Sequence, residues 1–350
     1  MMPISVPHSR PWIDQSDLLA VNELLKSRMI AKGLRVQAFE QAVSYYLGAT
    51  SAIACASGTA ALSLALKVLR ISSGDEVILP TYVCWSVLAA VRGSGAVPCL
   101  CDVDDSGVVT VQTVRAALTP KTRAIIAVHM FGHPCDINSI STLGIPVIED
   151  ACQAFGLKVS GRSAGTLGDL GILSFHATKC LTTGEGGMLL TNNPSLINLA
   201  HLYEQPIEQN NAAGTFIMSD LQAALGLAQL DRYATFLDRR QELFASYNEI
   251  TSKLANVSHG YVGMPKFLFR YTLRIQSCFE SSQASLLING VHSRRGVDEL
   301  LHRRIGLNDR NFPCAIKLFD QVISIPFYPS ITEQERKKVV RALKVVFYGA

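Results

Sequence analysis

The chain has 350 residues, 48% of them hydrophobic and 17% charged. That is enough apolar side chain for sizeable cores and, at about 150 residues per domain, enough length for two domains; a disordered or fibrous chain is excluded. A formal net charge of +4 spread over this length is too weak and diffuse to argue for nucleic acid as a partner. Nine cysteines, at positions 55, 84, 99, 101, 135, 152, 180, 278 and 314, include no CxxC pair, so neither a disulfide framework nor a zinc site is expected.

The N-terminus lacks the basic and then apolar order of a secretory signal, and the chain is expected to stay in the cytoplasm. A helix is expected over residues 16–27. The apolar stretch 49–69 is interrupted by Ser51, Ser57, Gly58, Thr59, Ser63 and Lys67, so it reads as a buried strand entering a buried helix rather than as a membrane span. Short β-type runs then recur at 77–79, 96–101, 124–128, 145–148, 170–173 and 188–191, with helical stretches at 60–70, 86–92 and 110–118. Strands without clean in/out alternation, separated by helices, imply an α/β fold: a mainly parallel sheet covered on both faces. Ligands of such sheets bind beyond the carboxyl ends of the strands.

After residue 193 the pattern turns to long amphipathic helices, clearest over 219–236 and continuing through 239–250. A strand at 267–275 and helices at 282–288 and 332–346 suggest a smaller α+β unit. The expected division is a large unit at 1–235 and a small C-terminal unit at 236–350, with the N-terminal segment free to pack on either.

Three segments carry chemistry. In Cys55-Ala-Ser57-Gly58-Thr59-Ala-Ala-Leu62 a strand end runs into small residues that open a helix; free amides there, with the Ser57 and Thr59 hydroxyls, suit a phosphate dianion. Alone, a capped helix after a tight turn has the same look. Glu149-Asp150 ends an apolar strand, so Asp150 either faces the ligand crevice, where a protonated pyridine nitrogen would keep it ionised, or caps the next helix. In Ser174-Phe-His176-Ala-Thr-Lys179, followed by the Gly-rich run 184–187, a lysine stands just beyond a strand, where it can form a Schiff base. Ser174 can hold a phosphate on the same side, and His176 reads as a packed or hydrogen-bonded histidine. Taken together, a phosphate-binding helix start, a strand-end aspartate and a lysine, in this order on one sheet, meet the needs of pyridoxal 5′-phosphate.

With these motifs, and with Gly74-Asp-Glu-Val-Ile-Leu-Pro80, Glu149-Asp-Ala-Cys-Gln153, Ser219-Asp-Leu-Gln-Ala-Ala-Leu-Gly226 and Ser324-Ile-Pro-Phe-Tyr-Pro329, the sequence resembles the DegT/DnrJ/StrS sugar aminotransferases. These are fold type I enzymes of pyridoxal phosphate, and the resemblance covers nearly the whole chain. It implies Lys179 as the lysine that links to the cofactor and then moves the proton. It also implies Asp150 as the partner of the pyridine nitrogen, Gln153 near the ring hydroxyl, and Gly58, Thr59 and Ser174 as phosphate-binding positions. A homodimer with sites at its interface is implied as well.

The sequence departs from the family at three positions, and its segment 280–303 is short against typical members. Where the family has an aromatic residue stacked on the ring, this chain has Cys84 with Trp85 beside it, and either residue can serve. Where the family often has an Asn that reaches across the dimer to the phosphate, Thr215 stands as the substitute; where it often has an Arg, Ile217 stands. Dehydratases of the group carry His in place of Lys179, so transamination is expected: an amino group from a donor such as L-glutamate to a keto group of a nucleotide-linked sugar. A keto-cyclitol or antibiotic precursor as acceptor, or a non-catalytic regulatory protein of the same fold, are the other readings. No GxGxxG follows a first strand, which sets a nicotinamide enzyme aside.

Overall fold

The computed structural model describes residues 5–204, 216–261 and 265–347. Two helices come first, α1 (Gln15–Ser27) and α2 (Leu34–Leu47). α1 begins at a capping box, in which Asp14 accepts the Ser16 amide at 2.8 Å and Asp17 accepts the Asp14 amide at 2.9 Å. Alternation of strand and helix comes next: β1 (Ser51–Cys55), α3 (Gly58–Val68), β2 (Glu76–Pro80), α4 (Trp85–Gly93), β3 (Val97–Cys101), α5 (Val111–Ala117), β4 (Thr122–Val128), α6 (Ile137–Ser141) and β5 (Val147–Asp150). A short hairpin, β6 (Lys158–Val159) and β7 (Arg162–Ser163), precedes β8 (Leu170–Ser174), β9 (Gly187–Thr191) and α7 (Pro194–Glu204).

Seven of these strands form one sheet in the order β1-β9-β8-β5-β4-β2-β3. β9 runs antiparallel to both its neighbours, and the pairs from β8 to β3 are parallel. The carboxyl ends of β1, β8, β5 and β4 therefore reach the same edge, where β9 begins. β5 is buried at every position and β4 at all but one, as strands covered by helices on both faces require.

The expected long helix over 219–236 is divided. α8 (Asp220–Asp231) and α9 (Tyr233–Thr251) separate at Arg232, whose guanidinium turns back to the Asp14 and Asp17 carboxylates of the N-terminal cap. The expected strand at 267–275 also shortens, because Pro265–Phe267 makes a single 3-10 turn first. The remaining elements are β10 (Val257–Ser258), β11 (Tyr271–Ile275), α10 (Phe279–Ile288), β12 (Arg294–Arg295), α11 (Leu301–Arg304), α12 (Pro313–Gln321), β13 (Val322–Ile325) and α13 (Glu333–Phe347).

Four of them build an antiparallel sheet, β10-β11-β13-β12. Its core gathers Tyr247, Leu273, Ile323, Val339 and Phe347, joined by Val6 from the N-terminal segment. Val6 is held there by backbone bonds, its amide to Gly290 O (2.9 Å) and its carbonyl from the His292 amide (3.0 Å). α9 serves both cores: Tyr233, Phe236 and Leu237 pack with β8 and β9 residues, Leu243 and Tyr247 with the small sheet. Residues 235 and 236 sit inside this helix. Among the described residues no helix is long and apolar enough to cross a membrane, and all nine cysteines are free.

Candidate functional site

At the sheet edge where β1 ends, Ser57 caps α3, its Oγ accepting the Ala60 amide at 3.1 Å. The amides of Gly58 and Thr59 precede the first intrahelical bond and point out of the helix start. Glycine is required here by close approach. A Cβ on Gly58 would lie 2.9 Å from Ser174 Cβ, and one on Gly187 would lie 2.2 Å from Ser57 O and 2.6 Å from Gly58 N. Gly187 pairs with Cys55 on one side and Ser174 on the other, so the bare start of β9 lets the α3 turn and the end of β8 meet. Ile217 bridges to Cys55 along the outer edge of this turn, while Thr215 lies outside the described residues.

The two carboxylates at the end of β5 have different surroundings. Glu149 is fully buried; its Oε2 accepts the Leu167 and Gly168 amides at 2.8 and 2.9 Å. The Cys135 amide donates to His129 Nδ1 (2.9 Å), so the ring proton sits on Nε2 and is donated to Glu149 Oε1 (2.8 Å). Burial alone would raise the Glu149 carboxyl, but the His129 and amide bonds hold it below its usual value. Asp150, on the opposite side of the strand, is 5% exposed and accepts the Cys152 amide at 3.0 Å. The adjoining Gln153 is oriented by the Phe131 amide, which donates to its Oε1 at 2.9 Å, while its Nε2 donates to Met130 Sδ at 3.5 Å. Burial, with Asp150 nearby, pushes the Cys152 thiol well up.

Lys179 stands in the loop after β8, its amide bonded to His176 O at 2.8 Å. Thr182 and Thr183 fasten the return of this loop to the Phe175 carbonyl, at 3.0 and 2.9 Å. The Lys179 ammonium lies over the Phe269 ring, 4.5 Å from its centroid. His176 is exposed and hydrogen-bonded to Thr178, Nδ1 to Oγ1 at 2.9 Å.

Cys84 and Trp85 open α4 and have separate fates. Cys84 lies within electrostatic reach of Cys152 and Arg270, on the site side. Trp85 carries the Arg304 guanidinium 3.8 Å above its ring centroid. The structure thus brings Ser57, Gly58, Thr59, Ser174, Asp150, Gln153, Lys179 and Cys84 to one edge of the sheet, and turns Trp85 to an arginine.

Beyond Lys179 opens a narrow cleft, lined by the N-terminal segment, the Lys179 loop, α9 and the small sheet. Among the described residues its cations are Arg10, Lys179, Arg240, Arg270 and Arg294, and no carboxylate is among the lining side chains. Sequence reasoning missed Phe269, Arg270 and Arg294. No motif announces them, because pairing of β11, β12 and β13 brings them to the cleft from separate segments.

A strand-end carboxylate, a close-packed glycine turn at a helix start with a serine opposite, and a lysine beyond the same edge form the donor set for a phosphorylated, protonated heterocycle bearing an aldehyde. Cofactor and side chains fit. A family model described as the DegT/DnrJ/EryC1/StrS aminotransferase family matches residues 11–344. The chain belongs to that family. It is an aminotransferase with the fold type I architecture, and its cofactor is pyridoxal 5′-phosphate. This aminotransferase is 30% identical to the spore coat polysaccharide biosynthesis protein SpsC of Bacillus subtilis over 99% of this chain and 98% of that one. Among solved structures it is similar to the aminotransferase TlmJ of Streptoalloteichus hindustanus, with a TM-score of 0.90, 26% identity and coverage of 97% and 98% of the two chains. It is also similar to the pyridoxal phosphate form of the putative sugar aminotransferase Spr1654 of Streptococcus pneumoniae, with a TM-score of 0.89, 25% identity and coverage of 98% of each chain.

Proposed function

We propose that this aminotransferase moves an amino group from L-glutamate to the keto group of a nucleotide-linked sugar, as a cytoplasmic homodimer. We also assign the chain two units, a large cofactor-binding unit at 1–235 and a small C-terminal unit at 236–350. The names of SpsC and Spr1654, a polysaccharide biosynthesis protein and a putative sugar aminotransferase, support a sugar acceptor. The observation that carries the site assignment is the convergence of the Gly58–Ser174 cradle, Asp150 and Lys179 on one sheet edge.

In this reading Gly58, Thr59, Ser57 and Ser174 hold the phosphate, with Thr215 contributing. Asp150 accepts the pyridine N–H, and its place against the Cys152 amide keeps the carboxylate oriented. Gln153 presents its amide to the ring hydroxyl, and Cys84, rather than Trp85, covers the ring face. When bound, the cofactor supplies an aldehyde carbon for an amine and a protonated ring that takes up the electron pair left on the donor's α-carbon. Lys179 Nζ would be the covalent anchor and, once the donor's amine has displaced it, the base that takes the proton from that carbon and passes it to the former aldehyde carbon; in the second half-reaction it would carry a proton the opposite way, to the acceptor's carbon. Phe269 under this amine limits its swing and excludes water from one side.

The test is a visible spectrum of the purified enzyme, borohydride reduction and peptide mass analysis. A cofactor band that glutamate bleaches, with the reduced label on Lys179, is the expected outcome; Lys179→Ala removes the label and Asp150→Ala keeps it while losing transamination. Supplying uridine- or thymidine-linked keto-sugars should then restore the band. A label on another lysine overturns the site assignment. Restoration by a cyclitol ketone and by no nucleotide-linked sugar overturns the acceptor.

A further inference from the structure

The cleft beside Lys179 is more cationic than holding the cofactor requires. Arg10 is committed to Glu335, with bonds of 2.9 and 2.8 Å, and to Ser330 O. Arg240 is bonded to the Phe327 and Phe269 carbonyls, each at 3.1 Å, and to Leu268 O. Arg270 gives Nη1 to the Arg295 and Gly296 carbonyls at 3.2 and 3.1 Å, and its Nε is buried without a hydrogen-bond partner. The Arg294 side chain, exposed on β12, has neither a hydrogen bond nor an ion pair among the described residues. It lies close enough to Arg270 for the two charges to repel, and Asp298 is the acid that faces Arg270 from outside the lining. His8 adds no charge: burial, then Arg270 and Arg294, push it down to about 3, and its Nε2 is bonded to Ser324 Oγ at 2.8 Å.

Two adjacent guanidinium groups, one free and one with a buried unpartnered N–H, repel each other until an anion lies between them. Resting on the reading that an amino acid donates the amino group, we propose that Arg294, with Arg270 behind it, binds a carboxylate of the amino donor. The planar fork of arginine matches the two oxygens of a carboxylate. Position selects the donor over the acceptor's diphosphate, which offers the same anionic oxygens. The donor's α-carbon must reach Lys179 Nζ, so its carboxylates lie a few bonds from that atom, within this cleft. In a nucleotide-linked sugar with the keto group across the ring, the diphosphate is held away from the reacting carbon by the ring itself.

Glutarate, a dicarboxylate without an amine, and inorganic pyrophosphate serve as probes on the holoenzyme. Calorimetry should show glutarate binding weakened roughly 10- to 100-fold in Arg294→Ala, with partial recovery in Arg294→Lys and little change for pyrophosphate. The glutamate concentration that half-bleaches the cofactor band should rise by a similar factor, while the final extent of bleaching stays the same. Unchanged glutarate binding, an equal loss for both anions, or a loss for pyrophosphate alone overturns the assignment. If the wild-type enzyme is bleached by glutamate yet Arg294→Ala behaves identically, this inference fails and the aminotransferase reading with glutamate stands. If glutamate does not bleach the wild-type enzyme, the donor reading itself fails. Arg294 sits exposed on a two-residue edge strand, so its variants are expected to fold.

Discussion

At the scale of single residues, identity and surroundings act separately. Glu149 and Asp150 are neighbours of one chemical type, yet strand alternation sends Glu149 into a closed network with His129 and two amides. Asp150 at the same strand end stays outside that network, and its carboxylate accepts the Cys152 amide. His8 is a second case, because its side chain is ordinary in sequence and becomes distinctive only in the cleft. Its folded pKa of about 3 lies below the ordinary value of 6.5, so the unfolded chain takes up the proton first. Stability from keeping His8 neutral is complete above 6.5 and is lost as pH falls from there towards 3. Urea unfolding should therefore show wild-type stability falling by up to about 1 kcal/mol per pH unit between about pH 6.5 and 5, with a flatter profile in His8→Gln. Parallel profiles for the two proteins would remove His8 as the cause.

At the scale of elements, the proposed phosphate cradle is a packing problem solved by glycine. α3 starts where β1, β9 and β8 come level at Cys55, Gly187 and Ser174, and any side chain at 187 would meet the Ser57 carbonyl. The Gly187→Ala chain is expected to stay folded, with about 1–3 kcal/mol of strain directed into the α3 turn. Titration of the cofactor-free protein with pyridoxal phosphate should then give an affinity weakened by roughly tenfold or more. Unchanged affinity would mean that this turn does not hold the phosphate. The division of the expected 219–236 helix belongs to the same scale. Nothing local at Arg232 forbids a helix; its guanidinium finds Asp14 and Asp17, more than 200 positions away in the chain, and these contacts hold the break.

At the scale of the whole molecule, α9 ties two cores together, and Arg240, 2% exposed, reaches from it to the carbonyls of the 268–269 segment that places Phe269 under Lys179. The packing of the small sheet is thereby linked to the position of the Lys179 amine. On the outside, Leu18, Leu25, Met29, Ile30 and Leu34 are exposed along α1 and the start of α2, with Met29 at 72% and Leu34 at 79%. An apolar run of this kind on a folded surface is the mark of a partner, and it supports the proposed homodimer. Light scattering should give twice the chain mass. A Met29→Glu, Leu34→Glu double variant should shift towards monomer and bind the cofactor less tightly; a wild-type monomer with full cofactor affinity would overturn the proposal.

The sequence by itself determined the architecture and the order of the chemical parts. Apolar runs too short for helices, separated by helical periods, admit little besides a covered parallel sheet, and small residues after β1, a carboxylate after β5 and a lysine after β8 are local events at strand ends. The antiparallel course of β9 was not legible, because a fully buried strand reads the same in either direction. Tertiary structure also separates Cys84 from Trp85, adjacent residues that a one-position shift would exchange: the Arg304 guanidinium stands over the Trp85 indole, whereas Cys84 lies near Cys152 and Arg270. The arginine cleft was legible nowhere, since Arg10, Arg270 and Arg294 come from segments far apart in the chain. Periodicity and turn chemistry are properties of neighbours in sequence, whereas a field built from distant charges exists only after the two sheets have packed.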